Sequence, residues 1–364
     1  MGGPPLLGAV AAGAPAANVL EVIAELTAQA PRHVPREPAG SPAWKRGRVG
    51  CGIEGRGADE DLFVAEESSS GVEDSAPPRV RVHSAPEWEW RRRGPTQRAV
   101  RSFGIRSDVL RRLPGGQGHA WTDGRLVAKP VGCLPEHRWV CEVYAGWKCP
   151  DVRVPQPVVP RGVDDAGWSV DGWGAHVFVP GREVELPHEI ARVREASDAF
   201  HDCVRALPCP DFIGARDDPW SFGDRVAWDG VEPESDIGTR GLITALRAHA
   251  RPVSTPSQMI HGDVLPNVLL DTGSVAAVID WPPYFRPAGF ASAIAVTDAV
   301  TFRDAPLSLL DEWATGDDWD QLLVRALVYR LATTGLFAAR GLLMGSLITH
   351  LARAEPVVEA VLAR

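Results

Sequence analysis

The stretch His261-Gly262-Asp263-Val264-Leu265-Pro266-Asn267-Val268-Leu269-Leu270, followed by Val278-Ile279-Asp280-Trp281, decides how this chain is read. Asp271-Thr272-Gly273 places turn residues between two apolar runs, so the spacing predicts a β-hairpin. Counting outwards from the turn sets Asn267 opposite Ile279. Asn267 and Asp280 then meet at the open end of the hairpin, with Asp263 on the loop before it. Two carboxylates and one amide oxygen facing one spot form a hard-oxygen site suited to Mg²⁺. Magnesium fills the rest of its shell with phosphate oxygens, which points to a nucleotide.

Upstream of the hairpin the pattern is strand-rich. Val109–Leu113 reads as a strand and is followed by Pro114-Gly115-Gly116-Gln117-Gly118. His119–Thr122, a turn at Asp123-Gly124 and a strand ending in Val127-Ala128-Lys129 come next. A helix is expected over Glu136–Trp147, then strands at Val154–Val159, Trp168–Val170 and Trp173–Val179, the last stopped by Pro180-Gly181. Beyond Gly181 the period changes. Ile190, Val193, Ser197, Phe200, Val204 and Leu207 recur at helical spacing, and Gly241–Ala250, Ala288–Val300 and Leu322–Ala363 continue the helical character, the last as several helices. Strands first and helices later predict an α+β architecture, with a small sheet lobe joined to a larger helical one.

Residues 1–95 differ from the rest. They combine Ala/Gly/Pro-rich sequence, one helix-compatible run at Val19–Gln29, and alternating basic and acidic clusters. Too few large apolar residues recur at any period to offset ordering entropy, so a disordered low-complexity segment is expected. The remaining chain divides into an N-lobe over 96–178 and a C-lobe over 179–364. With 38 basic against 47 acidic residues, a net charge of -9 argues against a general nucleic-acid coat. The six cysteines include no CxxC pair, so a structural zinc site is not expected. Reduced thiols and a cytoplasmic location are expected, because no secretory signal precedes this large chain. The apolar C-terminal stretch, interrupted by Arg330 and Arg340, is read as falling short of a membrane span.

His-Gly-Asp, then Asn, then Ile-Asp-Trp resembles the catalytic and metal-binding core of the aminoglycoside phosphotransferase-like families, which share the bilobal protein-kinase-like fold. The run Ile279–Val300, with Pro-Tyr and Arg-Pro after Ile-Asp-Trp, is similar to an uncharacterised actinobacterial branch. The resemblance implies that Asp263 accepts the proton of a substrate hydroxyl, that Asn267 and Asp280 hold Mg²⁺, and that His261 braces the loop. It implies a nucleotide, ATP or GTP, under the hairpin loop carrying Gly115, Gly116 and Gly118, whose spacing also fits an ordinary turn. Lys129 would contact the α- and β-phosphates and pair with a glutamate of the next helix. Glu142 and Glu136 are the candidates, and the apolar neighbours Val140, Val143 and Tyr144 favour Glu142. The backbone near Phe178 and Val179 would meet adenine.

Two departures stand out. Asp263 and Asn267 are four positions apart where the usual pattern has five, and Pro266 is expected to hold the shortened loop extended. The acidic continuation usual after Ile-Asp is replaced by Pro282-Pro283-Tyr284-Phe285-Arg286-Pro287, which argues against an aminoglycoside as the acceptor. The resulting expectation is an ATP-dependent phosphotransferase acting on a hydroxyl of a small molecule. Its alternative is a catalytically weak or inactive kinase-like module that binds nucleotide or serves regulation.

Overall fold

Thr96 accepts the Ala99 N–H at 3.0 Å and opens helix α1 (Gln97–Phe103), which Gly104 closes in the left-handed conformation at φ 66°. This computed structural model describes residues 94–114, 119–162, 167–234, 237–340 and 344–364. The segment read as disordered therefore lies almost wholly outside the described residues, as do Gly115, Gly116 and Gly118.

The N-lobe is a five-stranded antiparallel sheet. Its strands are β1 (Arg111–Arg112), β2 (Trp121–Thr122), β3 (Leu126–Pro130), β4 (Ser169–Val170) and β5 (Trp173–Val177), in spatial order β1-β2-β3-β5-β4. Alternation along β3 and β5 sends Leu126, Ala128, Trp173 and Ala175 to one face, where Ala99, Val100 and Phe103 of α1 cover them. Lys129 and His176 project from the opposite face, toward helix α2 (Leu134–Ala145). Gly174 belongs to that face too. The His137 ring of α2 lies where a Cβ on Gly174 would sit, at 2.2 Å, so a side chain there would push α2 away.

Val154–Val159, expected as a strand, forms only one isolated bridge, Pro157 with His176, and Arg153 just before it bridges Ala277. Pro155, Pro157 and Pro160 remove the N–H groups that a continuous ladder needs. The chain here crosses from the larger core, which Val152 and Val154 join, to the sheet, where the Val158 N–H donates to the Ala175 carbonyl at 2.9 Å.

The C-lobe begins with β6 (Arg182–Glu183), α3 (Ile190–Val204), α4 (Phe212–Ala215), α5 (Pro219–Trp228) and α6 (Ile237–Ala248). It continues through β7 (Gln258–His261), β8 (Val268–Leu270), β9 (Ala277–Val278) and β10 (Pro283–Arg286). Helices α7 (Ala288–Phe302), α8 (Leu309–Glu312), α9 (Trp319–Ala339) and α10 (Met344–Leu362) complete it, so the stretch expected over Leu322–Ala363 as several helices contains α10 and most of α9. The predicted hairpin is present as β8 and β9, with Val268 opposite Val278 and Gly273 turning at φ 77°.

Helices α7 and α9 are apolar on nearly every side and form the centre of the lobe. Contrary to the sequence reading, α9 is long and apolar enough to cross a membrane by length and composition. Here 83% of its apolar window is buried within the lobe.

The expectation of reduced thiols is corrected at one pair. Cys149, in the loop after α2, is bonded to Cys203 of α3, with Cα atoms 6.0 Å apart. Closing a span of 54 residues stabilises the fold by about 4 kcal/mol in the chain-entropy view. Cys203→Ser is therefore expected to melt several degrees below the wild type under non-reducing conditions, with the gap vanishing in reductant. Equal melting temperatures in both conditions would remove this contribution.

Candidate active site

Strand β7 delivers His261 to the floor of the cleft in a fully buried position. Its Nε2 donates to the Ile279 carbonyl at 2.9 Å, and its Nδ1 accepts the Asp263 N–H at 3.1 Å. One neutral tautomer satisfies both bonds, and burial holds this imidazole below its ordinary pKa. The side chain thus ties the loop holding Asp263 to the segment holding Asp280. Behind it, the His261 N–H donates to Nε2 of His201, whose Nδ1 meets Ser197 Oγ at 3.2 Å. Burial, with His261 adding to it, pushes His201 down to about 3, so it acts as a neutral acceptor.

Gly262 admits no side chain, because a Cβ would lie 2.3 Å from the Tyr284 ring. Beyond Asp263, the residues Leu265–Asn267 form a 3₁₀ turn closed by Asn267 N–H to the Val264 carbonyl at 3.0 Å. This differs from the extended loop expected from Pro266. Proline is tolerated at the start of such a turn, where its missing N–H has no partner to lose. The shortened loop thereby delivers Asn267 directly to the hairpin, and the Ile279 N–H donates to the Asn267 carbonyl at 2.9 Å. The predicted opposition of Asn267 and Ile279 is present. The Asn267 Nδ2 donates to the Asp263 carbonyl at 2.7 Å, which turns Oδ1 away from that loop.

Asp280 follows in a left-handed conformation, φ 54°, a region that a short polar side chain tolerates better than most. Its Oδ1 lies 2.9 Å from Nζ of Lys129 on β3, across the cleft. The side chain is 61% exposed, so the pair faces an open space. The Lys129 ammonium holds the Asp280 carboxyl below its usual range, against the opposing effect of desolvation. Trp281 locks the next position: its Nε1 donates to the Ile260 carbonyl at 2.8 Å, and its ring packs on Tyr144, Trp139 and Phe200.

The oxygen donors fit a magnesium ion only in part. Asp280 Oδ2 and Asn267 Oδ1 offer two hard oxygen donors, and no group of three or more His, Cys, Asp or Glu side chains suited to a metal occurs among the described residues. A divalent ion here needs further oxygens, which nucleotide phosphates supply.

The helix glutamate differs from the expectation. Glu142 is exposed and makes no ion pair with Lys129, whose carboxylate partner is Asp280. Glu136 instead faces the C-lobe and accepts from Nη1 of Arg216 at 2.7 Å. Burial pushes the Glu136 carboxyl up, and Arg216 opposes that rise. The Arg216 guanidinium stacks over the Tyr284 ring, 4.5 Å from its centroid. Arg216, Tyr284 and Gly262 thus form a packed column from α2 to the loop that carries Asp263, and no local spacing announces it.

The linking segment follows β5. The Phe178 N–H is taken by the Arg125 carbonyl at 2.9 Å, which leaves the Phe178 carbonyl and the Val179 backbone as the candidates for an adenine edge. His176, beside Lys129 on the cleft face, is held down to about 3 by burial, with His137 and Lys129 adding to the effect. It therefore brings no charge to the site.

A bilobal fold with a lysine on the third strand, a His-Gly-Asp loop and an Asp after a hairpin is the arrangement of the protein-kinase-like fold. Residues 124–284 match the model of the phosphotransferase enzyme family (APH), so the aminoglycoside phosphotransferase-like resemblance holds over the stretch from the turn before β3 to Tyr284. The match is to the family as a whole and does not single out the actinobacterial branch.

Among solved structures, the chain is similar to spectinomycin phosphotransferase APH(9)-Ia in complex with ADP and spectinomycin, at 13% identity and TM-score 0.46, covering 72% of this chain and 94% of that one. It is similar to aminoglycoside phosphotransferase APH(4)-Ia at 18% identity and TM-score 0.45, covering 72% and 96%. Choline kinase LicA from Streptococcus pneumoniae is similar at 10% identity and TM-score 0.46, covering 69% and 93%. No curated protein matches the chain.

Proposed function

We propose that the protein transfers the γ-phosphoryl group of ATP, or of GTP, to a hydroxyl of a small molecule. The observation that carries this reading is the Lys129–Asp280 pair at 2.9 Å across an open cleft, with Asp263 and Asn267 on the neighbouring loop. In the proposed reaction, the acceptor oxygen attacks the γ-phosphorus while Asp263 takes the hydroxyl proton. The bond to the β–γ bridging oxygen breaks, and the nucleoside diphosphate leaves with that electron pair. Asn267 and Asp280 would hold Mg²⁺, which supplies charge neutralisation on the phosphates. Lys129 would move from Asp280 toward the α- and β-phosphates, and the Val179 backbone would receive the base. The N-lobe over 96–178 and the C-lobe over 179–364 would then close on the nucleotide, with residues 1–95 outside this unit.

A Mg²⁺-dependent rise in melting temperature with ATP or GTP supports this reading; no shift with any nucleotide would sink it. Lys129→Ala is expected to weaken nucleotide binding at least tenfold with its melting transition retained, because a single charge-assisted contact to phosphate contributes about 1.5–3 kcal/mol. Unchanged affinity by calorimetry would remove Lys129 from the site. Tight Mg²⁺-dependent binding with no turnover on any hydroxyl acceptor, water included, would favour the binding-module alternative.

A further inference from the structure

Helix α9 carries one arginine into the cleft floor, and the reaction above gives it no role. Arg330 donates from Nη2 to Asp263 Oδ1 at 2.7 Å. The same guanidinium donates from Nε to Asp298 Oδ1 at 2.8 Å and from Nη2 to Asp298 Oδ2. Asp298 belongs to α7 and is buried. Its side-on grip uses both Nε and Nη2, a two-point contact that fixes the plane of the guanidinium. The Tyr329 ring, 4.9 Å from the guanidinium carbon, covers one side.

This arrangement is hierarchical. A buried arginine needs one carboxylate to offset its desolvation, and Asp298 supplies that with the better geometry. The bond to Asp263 is additional, and it is the one close side-chain contact that the Asp263 carboxylate makes among the described residues. The other, from Asn267 Nδ2 to Oδ2, is long at 3.5 Å. Oδ1 is therefore pinned, and Oδ2 is the oxygen left to meet a hydroxyl. Without Arg330, the long contact from Asn267 is the one side-chain hydrogen bond left to this carboxylate among the described residues.

We propose that Arg330, itself held by Asp298, is a positioning residue for Asp263, fixing Oδ1 so that Oδ2 faces the acceptor. This rests on the phosphotransferase reading of the site. Three variants of the full chain test it, with Mg²⁺ and ATP and with water as the acceptor, ADP release being measured. Arg330→Met removes the donors at similar length, Arg330→Lys restores a charge and one donor, and Asp298→Asn loosens the grip on Arg330.

A misplaced catalytic group costs about 10²-fold, so Arg330→Met is expected to lose about that in kcat with little change in the KM for ATP. Arg330→Lys should recover about tenfold of the loss, and Asp298→Asn should fall between wild type and Arg330→Met. Wild-type kcat in Arg330→Met would overturn the proposal, as would a parallel loss in kcat and ATP affinity that lysine does not rescue. Should Arg330→Met fail to fold, wild-type kcat in both other variants would overturn it. A wild-type chain that neither binds nor hydrolyses ATP would instead defeat the phosphotransferase reading itself, and this proposal with it.

Discussion

Asp263→Asn is expected to keep Mg²⁺-dependent nucleotide binding and lose turnover by about 10²–10⁴-fold, the usual contribution of a positioned general base. The substitution keeps the shape of the side chain, and an amide oxygen can still accept from Arg330 Nη2, which lies 2.7 Å from Asp263 Oδ1. The loop should also persist, because His261 holds it through the Asp263 backbone N–H and Asn267 through the Asp263 carbonyl. What disappears is the carboxylate proposed to take the proton. The matching control is Asp280→Ala, which removes the Lys129 partner and one of the two oxygens proposed to hold Mg²⁺. That variant should lose Mg²⁺-dependent binding as well as turnover. Single-turnover ADP formation together with calorimetric nucleotide affinity separates the two. Normal turnover in Asp263→Asn would defeat the proposed role of Asp263.

These two aspartates were legible in the sequence because the features that place them are local. A turn at Asp271-Thr272-Gly273 and an apolar run on either side fix the register of the hairpin, and register alone sets Asn267 opposite Ile279. Lys129 was legible for the same reason, as the cleft-facing residue of a short alternating strand. The misses arise where distance in the chain is large or where one local feature outweighs another. Val154–Val159 has the composition of a strand, but Pro155 and Pro157 deny it a continuous ladder. Glu142 has apolar sequence neighbours, yet on a helix those neighbours lie on other faces. Glu136 is turned inward by Arg216, 80 positions away, and Asp263 is pinned by Arg330, 67 positions away. Nothing in a single sequence marks such partners, because an arginine on a buried helix face is decided by the tertiary packing around it.

Arg216→Met is expected to destabilise the fold by about 3–5 kcal/mol, the cost of leaving one member of a buried ion pair alone. Burial works against the charge of Arg216, and Tyr284, Glu136 and Asp218 more than restore it. Two of its donors, Nε and Nη2, are nevertheless buried without a hydrogen-bond partner, so the pair with Glu136 is an imperfect one. The double variant Glu136→Leu/Arg216→Met should therefore recover most of the loss, since a well-packed apolar pair often matches a buried ionic one. The single variant also carries a pH signature. Burial already raises the Glu136 carboxyl, and Arg216 is the main influence holding it down. In Arg216→Met the folded-state pKa rises further above the unfolded value. The destabilisation should then be full at neutral pH and shrink as pH falls toward the ordinary glutamate range, where both states hold the proton. Urea unfolding of the four proteins of this cycle, at neutral and at mildly acidic pH, measures both effects. A single-variant loss that persists unchanged in the double variant and at low pH would mean that Arg216 acts through its stacking on Tyr284, with Glu136 contributing nothing to the bridge between α2 and the loop that carries Asp263.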